Sequence, residues 1–570
     1  MLLQRQELSD FVRRLLRHIS SSSSRRKQMI SSSLKKKRPG KKNRASQIWE
    51  KEDLISLLPS RARADSLIQT YLDVFETTYR VFHVPNFLRR YNDFWKSPTD
   101  TDECFILHIL LAMATVNAFV HDGPERNDED RRKQAKKSIR AAESWLRVQS
   151  QKWVTLDIFQ IHVTLFHAKK LNWVEFKSSW ESIGTLVRLS MAAGLHRDPT
   201  YLSQKMPVFE AEMRRRLWYT ILELELQEAC DRGMQPMLSA DNWDCMPPSN
   251  IHDEDIGEMT IDLPPERDLH EYTRTSFLCT AQKHLPLRLE VLNKSNSLKN
   301  GIDVDLARKY VETLQGLVEG LPNWPETPSS AVANVLSRLV LYEQLMILQQ
   351  PFAISQDTGL DHHRSFYFRA TQRQMAIDVM SLYSSLPRSE ALQIFTIRGD
   401  SFRAVLAMCY EAVQSSGAMN SELYNHEAEI HLLEETMTLF ADRVRTLHKG
   451  FQLYWLVSAA VGLVKVRYSK VPNDDLVAAE TVLDAFTLLE QINQCTGTNN
   501  LDHNHGIDPR LNSIEVTGNM QEHQESHTIS SAIDLFDPDT FFAGLVDMDF
   551  SPDWLLRFDD PYSCPTINDL

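Results

Sequence analysis

Along most of the chain, apolar residues recur every three to four positions, the spacing that gathers them on one side of an α-helix. In Ala64–Tyr79, Leu67, Tyr71 and Phe75 follow at four-residue steps, joined by Ile68, Leu72 and Tyr79, and Pro85 is expected to end the unit. In Lys177–Gly194, Trp180, Ile183, Val187 and Met191 predict one buried face, with Gly194 where a C-terminal cap belongs. Glu210–Arg232 and Ala333–Gln350 repeat the pattern. In the first of these, Met213, Leu217, Ile221 and Leu224 form a stripe that Trp218 and Leu222 widen, so this helix should be buried on most sides. Glu212 precedes Arg216 by four residues, the favourable order for a pair. Arg214 falls at the stripe's margin and calls for a carboxylate or carbonyl partner. The most apolar stretch, Cys104–Val120, has 17 residues and includes His108 and Asn117, which predicts a core helix rather than a membrane span. No alternation long enough for a sheet and no fixed repeat period is present. The expected fold is therefore all-α, with one large helical domain over residues 54–490.

Outside that region the pattern fails. Residues 1–50 hold a serine run and two basic clusters, Arg25, Arg26 and Lys27, then Lys35, Lys36, Lys37, Arg38, Lys41, Lys42 and Arg44. Like charges repel and little there can be buried, so a disordered arm is expected. Residues 496–530 are polar and read as a linker. Residues 531–570 mix nine Asp with large apolar side chains, among them Phe550, Trp554 and Phe558, against one basic residue, Arg557.

Charge sharpens this division. The net charge is −13, yet residues 1–47 carry 14 Lys/Arg against two acids, leaving −25 on the rest. A basic arm on an acidic body points to an address signal or a polyanion partner, not to a uniformly basic nucleic-acid surface. The arm is read first as a bipartite nuclear import signal, with non-specific phosphate contact as its second use. The opening segment is arginine-rich, as mitochondrial presequences are, but Glu7 and Asp10 argue against that address. In the tail, acids would keep the segment solvated while aromatics stay free to dock on a coactivator; packing on the main domain is the alternative.

Catalytic and metal signals are weak. The seven cysteines are scattered and no pair has C-x2-C spacing, so no thiolate zinc site can be read. His503, His505, His523 and His527 lie in the linker without a ligand pattern. Asn127–Arg132, NDEDRR, is similar to the magnesium helix of all-α terpene cyclases, but acids at a helix start followed by bases also suit the helix dipole. No phosphate loop, nucleophile elbow or H-E-x-x-H motif is present. A non-enzyme is expected, with no catalytic residue, no cofactor and no membrane contact.

One set of motifs is more specific. An arginine run Arg214, Arg215, Arg216 precedes Leu217–Trp218, an apolar–acidic stretch Ile221–Glu225, Gly233, and Pro236 with Leu238. Upstream stand AAGLHRDP, Ala192–Pro199, and the segment Ser60–Phe87, with its Tyr-Arg and His-x-Pro-x-Phe. Downstream follow Pro247, Pro248, Asn250 and Asp253–Asp255, then LYEQLMILQQPF, Leu341–Phe352. In this order they resemble the regulatory domain of fungal zinc-cluster transcription factors, the xylanolytic-activator type, over roughly residues 55–490. The resemblance implies an RNA polymerase II transcription regulator in the nucleus, with DNA, coactivators, a homo- or heterodimer partner and a small-molecule effector as its partners. Members of that family usually carry a six-cysteine zinc cluster ahead of this domain. Here no cysteine precedes Cys104, so the family's zinc ligands match no residue of this chain, and the expectation is a regulator without its DNA-reading module. Two other readings stand beside it: a co-regulator that does not bind DNA and pairs with intact family members, and an all-α metal-dependent enzyme.

Overall fold

A computed structural model of the chain describes residues 49–120, 128–149, 155–175, 178–202, 206–299, 301–354, 362–414 and 426–468, with scattered positions between 481 and 491. The basic clusters, the polar linker with its histidines, and the acidic–aromatic tail lie outside the described residues.

Helix formation follows the apolar periodicity, and tertiary burial does the rest. The first group comprises α1 (Lys51–Ser56), α2 (Arg61–Val74), α3 (Val84–Lys96), α4 (Glu103–Val116), α5 (Asp128–Val148) and α6 (Leu156–Leu171). Every side chain of α4 from Phe105 to Val116 is buried, against α2, α5 and α6. Full burial of each large apolar side chain there contributes about 1.5–3 kcal/mol. Asp102 caps this helix, accepting from the Phe105 N–H at 2.9 Å. Next come α7 (Ser179–Ala192) and α8 (Val208–Arg232), packed on each other. Both end on glycines in the left-handed region, Gly194 at φ 76° and Gly233 at φ 63°, where a Cβ would be strained. The Leu195 N–H closes the first of these ends onto the Ser190 carbonyl at 2.9 Å.

The remainder is α9 (Ser276–Ser295), α10 (Val304–Glu319), α11 (Pro328–Ile354), α12 (His362–Ser385), α13 (Arg388–Ile397), α14 (Asp400–Gln414), α15 (His426–Leu447) and α16 (Phe451–Tyr468). Among the described residues there are thus sixteen α-helices and no strand, the all-α class expected. Helix α11 packs against α9, α10 and α12, and α12 against α14 and α15. Helix α11 is apolar enough to cross a membrane, but 78% of its most apolar window is buried inside the fold. Helix α8 touches α6, α7, α9 and α11 and so joins the two halves of one apolar core that runs from Leu54 to Leu488.

One side chain, Asn250, ties together several turns of the long connection from α8 to α9. The Asn250 amide donates to the carbonyls of Arg267, Asp268 and Glu271 at 3.3, 3.0 and 3.2 Å. Its oxygen accepts from the Thr273 and Ser276 hydroxyls at 2.7 and 2.8 Å. All of its polar valence is used, as a buried amide requires.

Two local expectations differ. The unit that Pro85 was to end stops earlier, at Val74, and Pro85 sits in the first turn of α3, where its missing N–H costs nothing. Trp180, placed on the buried face of α7, is 37% exposed, while Ile183 and Val187 are buried. Trp180 lies in the first turn, where the stripe has not yet reached the core.

Candidate functional site

The signature helix α8 carries charge into the core at both ends. Near its N-terminus Arg216 is fully buried. Its Nε donates to Glu212 Oε1 at 2.9 Å and its Nη1 to Asp253 Oδ1 at 2.6 Å. Asp253 starts a short 3-10 turn, Asp253–Asp255, in the loop after α8. A second buried guanidinium, Arg80, reaches the same carboxylate, with Nη2 at 2.5 and 2.6 Å from its two oxygens. The Val84 N–H adds a third contact at 2.9 Å, and His83 Nε2 lies 2.7 Å from the Asp253 carbonyl oxygen. Burial alone would push the Asp253 carboxyl up; Arg80 and Arg216 outweigh it and hold the group far below the usual carboxylate range.

Glu76 closes this cluster on its other side. It accepts from the Val81 and Phe82 N–H groups at 3.1 Å and from the Tyr71 hydroxyl at 3.3 Å. Burial raises it to about 7, against the opposing pull of Arg80. The Tyr-Arg and His-x-Pro segments, the arginine run and the Asp-rich loop, read as separate motifs, therefore meet at one buried ionic cluster.

The other two arginines of the run are spent locally. Arg215 forks onto Asp198, Nε and Nη2 each at 2.9 Å, and Asp198 also accepts from the Thr200 hydroxyl at 2.7 Å and the Met246 N–H at 2.9 Å. This ties the GLHRDP segment to α8. Arg214 Nη2 lies 3.4 Å from the Ala193 carbonyl oxygen. Leu217 and Trp218 are fully buried, Pro236 is buried, and Gly233 terminates the helix.

In the middle of α8, Glu223 takes both Nη atoms of Arg288 at 2.9 Å, a paired contact to α9. At its C-terminal end, buried Lys170 contacts Glu228, and Asp231 at 2.9 Å. Asp231 accepts from the Gly399 N–H at 2.9 Å; a Cβ on Gly399 would sit 2.6 Å from that carboxylate oxygen, so only glycine allows the approach. Beside it Arg398 bridges Asp400 at 2.6 Å and Glu343 at 2.7 Å, and the Tyr383 hydroxyl donates to Asp400 at 2.6 Å. In these clusters acids and bases pair with one another, although Arg80 Nε, Arg216 Nη2 and Glu212 Oε2 have no hydrogen-bond partner. The clusters fix how the helices meet.

One grouping was not visible in the sequence, because its third member, Asp157 on α6, comes to Cys104 and His108 on α4 only through the fold. Cys104, His108 and Asp157 place candidate ligand atoms within 4.8 Å of one another. Their setting is unfavourable to a cation: Arg90 lies 4.0 Å from the Asp157 carboxylate, and both Cys104 and Asp157 stand in the positive first turns of helices. His108 Nε2 already lies 3.2 Å from the Asp157 carbonyl oxygen.

Residues 68–261, which span α2 to the ionic loop, match the family described as fungal specific transcription factor domain. Over these residues the chain is similar to that domain. It is 33% identical over 317 residues to the transcription factor opdR of Penicillium oxalicum, covering 53% of this chain and 39% of that protein. It is 35% identical to the transcription factor asR3 of Sarocladium schorii, over 41% of this chain and 27% of the relative. It is 29% identical to the Zn(2)-C6 fungal-type transcription factor mpsB of Macrophomina phaseolina, over 41% and 32% respectively. The match thus covers less than half of each of these relatives. No solved structure matches.

Proposed function

We propose that this chain regulates transcription in the nucleus, and that its helical domain serves as the regulatory module rather than the part that reads DNA. The observation that carries this is the fate of the signature charges. Phosphate contact needs exposed cations that can release counterions. Within the domain's signature, Arg216 is fully buried on Asp253 and Glu212, and Arg215 is forked onto Asp198. The family match and the printed names of the relatives support the regulatory class.

The basic arm, Arg25–Lys27 and Lys35–Arg44, would supply nuclear import and non-specific phosphate contact. Sequence-specific DNA contact would come from outside the helical domain. The acidic–aromatic tail would recruit coactivators. The test is a reporter assay with residues 531–570 fused to a foreign DNA-binding domain. Activation is expected, and replacing Phe550, Trp554 and Phe558 together by Ala should abolish it with the charge unchanged. A triple variant that activates as well as the parent would remove aromatic docking from the account.

A further inference from the structure

Arg443, on α15, is buried without the carboxylate that Arg80, Arg216, Arg288 and Arg398 each face. It is 4% exposed, and its Nε and Nη2 are shut off from solvent with no hydrogen-bond partner. Its surroundings are rings: Trp173, which follows α6, Phe395 on α13 and Phe440 on α15 have centroids 5.3, 5.4 and 5.0 Å from the guanidinium carbon. The adjacent acid, Asp442, is taken by Arg388 at 2.5 Å and Arg445 at 2.8 Å. Aromatic faces attract a cation, but by less than full burial penalises it. Burial accordingly pushes Arg443 down to about 9, with no charge opposing the shift. The unpartnered pair, Nε and Nη2, is the same edge with which Arg215 forks onto Asp198. That edge looks onto Gly450: a Cβ there would lie 3.2 Å from Nε and 3.4 Å from Nη2. Gly450 immediately precedes α16, an 18-residue helix whose N-terminus carries positive partial charge. Two positive features thus meet, and among the described residues no acid stands between them.

We propose that the open edge of Arg443, at the start of α16, is a binding site for a small carboxylate. A carboxylate matches that edge with two parallel, charge-assisted hydrogen bonds, as Asp198 does for Arg215. Its single charge neutralises one guanidinium, whereas a doubly charged phosphate would leave excess negative charge among three rings. Rings rather than water surround the pair, and the low local dielectric strengthens it. The turn His448–Gly450 covers the edge, so the ligand enters by displacing that turn. His448 and Gly450 both lie in the left-handed region, at φ 51° and 79°, and for His448 that conformation carries strain which a rearranged turn releases. The site needs only the fold described above, so its success or failure leaves the reporter test of the regulatory reading untouched.

The experiment is thermal unfolding of the purified full chain at pH 7 in rising sodium acetate. Sodium chloride and sodium phosphate at the same ionic strength and acetamide serve as comparisons, and calorimetric titration follows each. Acetate should raise Tm saturably and bind one per chain. Chloride and acetamide should not, and phosphate should bind about tenfold more weakly or worse. Arg443→Lys keeps the charge but loses the fork, and should weaken acetate by about tenfold. Arg443→Met removes the charge and should abolish the acetate response. If Arg443→Met fails to fold, Arg443→Lys and the acetamide comparison still decide the matter. Equal effects of acetate and chloride, phosphate binding as tight as acetate, unchanged acetate binding in Arg443→Lys, or an acetate response that survives in Arg443→Met would overturn the proposal.

Discussion

Replacing Asp253 by Asn keeps the side chain's shape and removes the carboxylate that Arg80 and Arg216 share. Both guanidiniums are fully buried, so water cannot take over its role. Glu212 stays 2.9 Å from Arg216, and Glu76 stays 3.4 Å from Arg80, so each cation keeps one acid. The new amide also turns one acceptor into a donor that faces other donors, a loss of about 1–3 kcal/mol by itself. Breaking a buried pair from one side costs about 3–5 kcal/mol, and the remaining acids place Asp253→Asn toward the lower half of that range. With roughly 400 described residues and an unfolding entropy of about 2.1 cal/mol/K for each, this corresponds to a fall in Tm of about 4–5 °C. The assay is thermal unfolding followed by circular dichroism, with Glu258→Gln as the matched control. Glu258 lies in the same loop and pairs with Arg89 at 3.4 Å, but both side chains are about 60% exposed, so its neutralisation should move Tm little. If the two variants melt alike, the buried cluster does not hold the loop to α8 and α2.

Two further outcomes follow from other residues. Glu225 is buried with the Met237 N–H as its hydrogen-bond donor at 2.7 Å, and burial raises it to about 7. A raised carboxyl favours the folded state when protonated; that contribution is complete below about pH 4.5 and is lost as pH rises through about 7. Glu225→Gln should therefore exceed the parent in stability at pH 8 by about 1–3 kcal/mol, with the gain vanishing near pH 4.5; parallel pH profiles in thermal melts would contradict the burial of this carboxyl. Replacing Lys35, Lys36, Lys37 and Arg38 by Ala in a fluorescent fusion should shift the protein from nucleus to cytoplasm, whereas mitochondrial signal from the unmodified fusion would favour the presequence reading.

Periodicity made the helices legible because a stripe is local: Leu67 and Tyr71 on α2 and Met213, Leu217 and Ile221 on α8 need no partner to be recognised. Gly194 was legible for the same reason, since a helix end is set by its own backbone. Misplacements arose where tertiary position decides, as with Trp180 in the first turn of α7, or where proline has two roles, as with Pro85. The ionic cluster could not be located from the pattern. Arg80 and Asp253 lie 173 residues apart, and pairing across that distance leaves no periodic trace. The sequence did hold a partial signal: charged residues such as Arg216 and Glu212 stand within a stretch too apolar to leave them in water.

The regulatory reading is tested most directly by titrating the purified chain against a candidate promoter duplex and a scrambled duplex at two salt concentrations. With Arg215 paired to Asp198 and Arg216 buried, the helical domain offers no signature cation to the duplex, and weak binding that falls steeply with salt, with a specificity ratio near one, is expected. A ratio above about a thousand, the range of true sequence-specific binding, would contradict it.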